Sequence, residues 1–278
     1  MNRGLPVLLG IALLLSRAHG LDVTSCGQVV PEGETGVLQT DLDCSADPPS
    51  FHVTLRNRAT LALNGHSIKG SPGSEIVACN IAARCTVVGP GTLSGGFCGI
   101  CAARSLTVQQ VSIHDSGYGV AAGSVGALRI SDVSVDNIAP EGVGISGGRI
   151  EATNVSATNC ASNGIEAFRA LRGFSLVASN NGGTGVRASR SYVIDGLVAN
   201  NNGQTPQRDG AGLLALRRGR LSNAILTGNS YSSPFTAPVA VDIFARRAVD
   251  ATNVACDHSL RFITLDEAGS PWGYCAGD

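Results

Sequence analysis

Six arginines occupy one recurring place in this chain: Arg84, Arg104, Arg169, Arg190, Arg218 and Arg247 stand just ahead of a short apolar strand pattern, with Gly126 and Gly148 in the same place between them. Arg217 and Arg246 lie beside the last two. Side chains repeated in this way project from one edge of a stacked structure. Like charges so close repel unless solvent or an anion screens them. A guanidinium binds carboxylate or sulfate through two parallel hydrogen bonds, so such a file suits a uronate or sulfated polysaccharide. The file also reads as a solvated turn whose long stems cover apolar atoms, neutralised by Glu151, Glu166 and Asp250. A second set is Glu166, Arg187 and Asp242, placed on or beside outward strand positions and flanked by Arg208 and Asp209. A carboxylate near an arginine is what uronan elimination or glycoside hydrolysis requires. The expected ligand-binding residues are therefore Arg169, Arg190, Arg218, Arg247, Arg208 and Asp209, and the candidate catalytic ones Glu166, Arg187 and Asp242. The five histidines have no HExxH or HxH spacing, and no metal or other cofactor is expected.

The elements that must carry these residues repeat. VSIHD from Val111, VSVDN from Val133, VSATN from Val155, LVASN from Leu176, LVANN from Leu197, ILTGN from Ile225 and VACDH from Val254 share one frame. Successive starts are 22, 22, 21, 21, 28 and 29 residues apart. Strand-like alternation at that period predicts a solenoid, each repeat forming one coil. The fifth position reads Asp115, Asn137, Asn159, Asn180, Asn201, Asn229 and His258, which predicts an inward ladder of amides bonded from coil to coil. A further strand follows, marked by Gly99-Ile100, Gly119-Val120, Gly144-Ile145, Gly164-Ile165, Gly185-Val186 and Gly212-Leu213. Its alternation puts Ile165 and Ala167 inside and Glu166 outside. Extending the frame back through GTLSG at Gly91 and LALNG at Leu61 predicts about nine coils. Residues 21–55 and 259–278 are expected to cap the exposed strand edges at the two ends. Extra length in two coils falls at Asn202–Ala211 and Tyr231–Pro238, adjacent loops that read as a binding flank or as tolerated insertions.

Residues 1–20 read as a secretory signal peptide. Arg3 is followed by an apolar run from Leu5 to Leu15, with Ala18 and Gly20 at a cleavage site. The run is too short for a membrane span, so a secreted or periplasmic product is expected. Removing Arg3 and Arg17 leaves 18 basic against 21 acidic residues, a net charge of −3, which argues against nucleic acid as a partner. All nine cysteines lie beyond residue 20, and export predicts disulfides. Cys26 with Cys44, Cys79 with Cys85, and Cys256 with Cys275 are the expected pairs. Cys98 and Cys101 could join each other, the previous coil or a zinc ion. Cys160 is expected to be unpaired.

The repeat resembles the right-handed parallel β-helix superfamily that includes pectate lyases and polygalacturonases. LALNGHSIKG followed by CTVVGPGTLSG is similar to the opening coils of uncharacterised secreted bacterial β-helix proteins. The resemblance implies an all-β, single-stranded right-handed parallel β-helix with disulfide-tied caps, and a polysaccharide as partner. It does not bring an activity with it. The NTD, DD, GHG and RIK segments of polygalacturonases are missing, His66 lies only in NGHS, and no acidic cluster recurs at one coil position. The expected role is a carbohydrate-interacting protein for an acidic polysaccharide. The alternatives are a polysaccharide lyase or glycoside hydrolase acting on uronate-containing glycans, and a structural adhesin or spike.

Overall fold

The computed structural model describes residues 20–47, 51–80, 84–203, 210–231, 239–264 and 267–278. Among them the chain is all-β, with no helix. It forms a parallel β-helix whose coils each contribute a strand to three long faces. On the first face one column runs Asp22, Val37, Ala62, Val88, Gln109, Ser131, Thr153, Phe174, Asp195, Ser222, Thr252, carrying the repeat down into the N-terminal strands. The second face pairs Ile113 with Val135 and then Ala157, and the third pairs Ile100, Val120, Ile145, Ile165, Val186, Leu213 and Ile243 in turn. The frame at Gly91 is in register with Val111 as expected. LALNG is not: Thr60–Ala62 belongs to the first face, and that coil's second-face strand is Ser67–Lys69.

Residues 21–55 end the stack as short strands in register with the coils above, for example Gly36 with Leu61 and Val53 with Val77. At the other end Ser259–Thr264 pairs parallel with Ile243–Ala245, and Glu267–Pro271 turns back antiparallel upon it. That reversal covers the outer edge of Ser259–Thr264 on the third face. The tail is anchored by Trp272 Nε1–H donating to the Ala245 carbonyl at 3.1 Å, and by the Tyr274 hydroxyl accepting the Val249 N–H at 3.0 Å. Four disulfides join Cys26–Cys44, Cys79–Cys85, Cys98–Cys101 and Cys256–Cys275. The CxxC pair is thus closed on itself, and its sulfurs are not free for zinc. Cys160 is unpaired and buried, and burial pushes its thiol up to about 12.

The ladder expectation holds at Asn229 but is off by one residue from Asp115 to Asn201, for a conformational reason. Asp115, Asn137, Asn159, Asn180 and Asn201 are exposed, and all have φ between 51° and 57°. In the fifth and sixth repeats Leu197 pairs with Ala224, not Ile225, so the residue equivalent to Asn201 is Gly228, also at positive φ. The fifth position is therefore a left-handed corner, where only Gly, Asn and Asp are inexpensive. A second such corner joins the first and second faces at Gln110, Asp132, Asn154, Ser175, Gly196, Asn223 and Asn253. The inward amides are one residue later: Asn181, Asn202 and Asn229, all buried. Asn181 Nδ2 donates to Ala157 O and Asn202 Oδ1, and Asn202 Nδ2 to Ala178 O and Asn229 Oδ1. Each amide oxygen also accepts the backbone N–H of the coil below, at 3.0–3.1 Å. Every polar atom of the column is thus satisfied without water.

Candidate functional site

The third-face strands of the last coils are only three residues long, Val186–Ala188, Leu213–Ala215 and Ile243–Ala245. Each is followed at once by a corner leading to the first face. Backbone hydrogen bonds pin these corners to the coil below: Ser189 N–H to Ala167 O, Leu216 N–H to Ala188 O, Arg246 N–H to Ala215 O, at 2.9, 3.1 and 2.9 Å. The corners carry Arg190, then Arg217 and Arg218, then Arg246 and Arg247. Together with Ser191 and Leu216 these five arginines line one open cavity of about 720 Å³. All five are exposed, and among the described residues none has an ion-pair partner.

The register refines the expected file. Tyr192, Gly219 and Val249 are paired on the first face, so the residues two before them, Arg190, Arg217 and Arg247, are equivalent. Arg218 is one step past this file but lines the same cavity. Arg169 is one coil below and does not line it. Arg84 pairs with Ser105, so it lies within a strand, one residue out of line with Arg104. The glycines at 126 and 148 separate Arg104 from the upper group. The sequence shows six arginines in a row; the structure gathers five of a partly different set at one end.

The outward column of the third face reads Thr54, Ala78, Cys101, Ala121, Ser146, Glu166, Arg187, Leu214, Phe244 and Leu260. Glu166 and Arg187 are therefore neighbours, as expected, and make an ion pair at 3.4 Å. Glu166 is only 9% exposed, and Asn163 Nδ2 donates to its other oxygen at 3.4 Å. The Arg187 Nε–H is buried with no partner. Asp242 does not join them. It is aligned with Gly212, two residues before Phe244, and is 2% exposed. Its Oδ1 accepts from Asn229 Nδ2 at 2.7 Å, and its Oδ2 accepts the N–H groups of Asp257 and His258 at 2.7 and 3.2 Å. It terminates the amide column and is not presented to a substrate. Sequence alternation failed there because the column needed a last acceptor, and two carboxylate oxygens supply it. Arg208 and Asp209 lie outside the described residues.

Above the ion pair the third face is covered. Leu214 and Phe244 are fully buried in a separate cluster with Ala211, Tyr231 and Val241, and the Tyr231 and Phe244 rings stand 4.5 Å apart. Both long coils thus supply residues that pack on the face. Below the pair the face is open, forming a groove of about 750 Å³ over Thr54, Ala78, Cys101, Ala121 and Ser146, walled by Phe51 and Phe168. No sequence signal marked this groove, because its floor consists of small residues with no chemistry of their own.

Known proteins offer little likeness. No protein-family model matches the chain, and no curated protein matches it. Among solved structures, the enzymatically active domain of tailspike protein 2 of bacteriophage CBA120 matches with a TM-score of 0.45 and 10% sequence identity. The match covers 84% of this chain and 42% of that one, so the chain spans less than half the length of the tailspike domain.

Proposed function

We propose that this is an exported β-helix protein, released from a signal peptide at residues 1–20, that binds an anionic polysaccharide at the corner formed by Arg190, Arg217, Arg218, Arg246 and Arg247. The observation that carries this reading is the convergence on one cavity of five guanidinium groups, none ion-paired among the described residues, in a chain whose overall charge is negative. Mutual repulsion at that corner is relieved by a ligand that brings several negative groups at once. Four disulfides support export to an oxidising compartment. Binding without cleavage is the favoured form. Hydrolysis calls for two carboxylates flanking the bond, whereas Glu166 is tied to Arg187 and Asp242 is committed to the core.

Polygalacturonate, alginate and heparin are the test ligands, with a neutral glucan as control. Affinity for at least one anionic chain should fall steeply with salt, because several exposed contacts are screened together. The double change Arg190→Gln and Arg218→Gln should reduce that binding about tenfold or more with an unchanged melt, and Arg172→Gln should leave it alone. Release of unsaturated or reducing ends would instead favour the lyase or hydrolase alternative. If no anionic chain binds at low ionic strength, the polysaccharide reading fails and a structural role remains.

A further inference from the structure

The arginine cavity and the open groove lie along the same edge of the solenoid. The groove is bordered by Asn80, Ala103 and Ser124, which sit at the corner after the third face, the corner that higher in the stack bears the arginines. Phe168 is the uppermost residue walling the groove, and Arg190 lines the cavity one coil above, since Ala167 pairs with Ala188. Arg169 stands between them, directly after Phe168. The two therefore adjoin, about one coil spacing of roughly 5 Å apart.

Their chemistries differ sharply. The groove floor at Ala78, Cys101 and Ala121 offers no hydrogen-bonding side chain, and polar groups are confined to its ends and rim. Phe51 and Phe168 remain 52% and 36% exposed along it. Burial against this surface also pushes the Glu75 carboxyl above its ordinary range. From Thr54 to Ser146 the floor crosses four coil steps, about 19 Å at the usual strand spacing. A long, smooth, apolar channel ending beside a cluster of cations has the complementarity of a single-chain anionic amphiphile. A sugar chain would need directional donors and acceptors on the floor, which the groove lacks.

We infer that the groove holds the acyl chain of an anionic amphiphile whose charged head lies among Arg190, Arg217 and Arg218. This rests on the polysaccharide reading only in using the same arginines for an anion; the apolar half is independent of it. Lysophosphatidic acid with a myristoyl chain, used below its micelle concentration, is the probe. Glycerol 3-phosphate supplies the head alone and monomyristin the chain alone. Isothermal titration should show lysophosphatidic acid binding at least about tenfold more tightly than either fragment. Ala121→Trp, which fills the channel from an outward position, should reduce it to the level of glycerol 3-phosphate. Ser146→Trp on the same file should do the same, and neither should alter polygalacturonate binding. Equal affinity for lysophosphatidic acid and glycerol 3-phosphate on the unaltered protein overturns the inference. So does undiminished binding by either Trp variant. Loss of polysaccharide binding on Arg190→Gln with Arg218→Gln, while the chain-dependent gain persists in that variant, would separate the two sites and remove the shared head position.

Discussion

Asn201 and Asn202 are adjacent and identical in type, yet their environments assign them different work. Asn201 is exposed at φ 54°, and Asn202 is fully buried in the amide column. Replacing Asn202 by Asp would put a charge where Nδ2 now donates to Ala178 O and to Asn229 Oδ1, turning two attractive contacts into repulsive ones. The expected loss is about 2–4 kcal/mol, read as a lowered melting temperature. Asn201→Gly, which suits the left-handed corner, should change stability by less than about 0.5 kcal/mol. His52 gives the pH prediction. It is 1% exposed, and its Nε2 accepts the Ser71 N–H at 3.2 Å, so the ring must be neutral there. Desolvation holds its pKa below the ordinary value, opposed by the charge of Asp47. The folded protein therefore resists protonation more than the unfolded chain does. The stabilisation is complete above the unfolded pKa of about 6.5 and is lost as pH falls through the lower folded value. Thermal melts should fall between about pH 7 and pH 5, and His52→Gln should flatten that slope. An unchanged slope in the variant would assign the effect to other groups.

At the scale of elements, the long coils do something the sequence left open. Both add length after the second face, which reads as a binding flank or as tolerated surface insertions. In the structure they supply Ala211, Tyr231 and Val241 to a cluster that buries Leu214 and Phe244 on the outside of the helix. This second core closes the third face above Glu166 and Arg187. Phe244→Ala should cost about 3–5 kcal/mol, as for other large-to-small core changes. It should also open the upper third face to an apolar dye, with little change in circular dichroism, because the strand pairing of Ile243–Ala245 does not depend on that side chain. A variant as stable as the parent would show that the cluster is only superficial. Pairing across coils also explains a local fit. Tyr192 lies beneath Gly219, whose missing side chain leaves room for the ring; a Cβ there would stand 2.4 Å from it.

For the whole molecule, stability comes from stacking, so the ends are its weak points. The C-terminal end is held by the fold-back of Glu267–Pro271, by the Trp272 and Tyr274 contacts and by Cys256–Cys275, whose Cα atoms are 4.9 Å apart across 19 residues. Opening that bridge by replacing both cysteines with Ser should cost about 3 kcal/mol on the chain-entropy estimate. Unfolding should then start at this end, seen as early loss of amide protection in residues 249–264 while the coils around Val135 remain protected. Uniform loss along the chain would mean that the solenoid melts as one unit.

The sequence alone determined the class of fold, its period and the expected disulfide pairs. Those depend on local patterns: alternation within a strand, recurrence of a frame every 21 or 22 residues, and cysteines close enough in sequence to meet. It did not determine what points inward at the corners. Asn serves a left-handed turn as readily as a buried amide ladder, and only the register of one coil on the next distinguishes Asn180 from Asn181. Nor did it determine the site. Arg217 and Arg246 share the cavity with Arg190, Arg218 and Arg247 because corners from three coils converge in space, whereas Asp242 leaves the expected face because the amide column ends on it. The groove was invisible for a further reason: small residues such as Ala78 and Ala121 advertise nothing in one dimension, and a concave surface exists only once the coils are stacked.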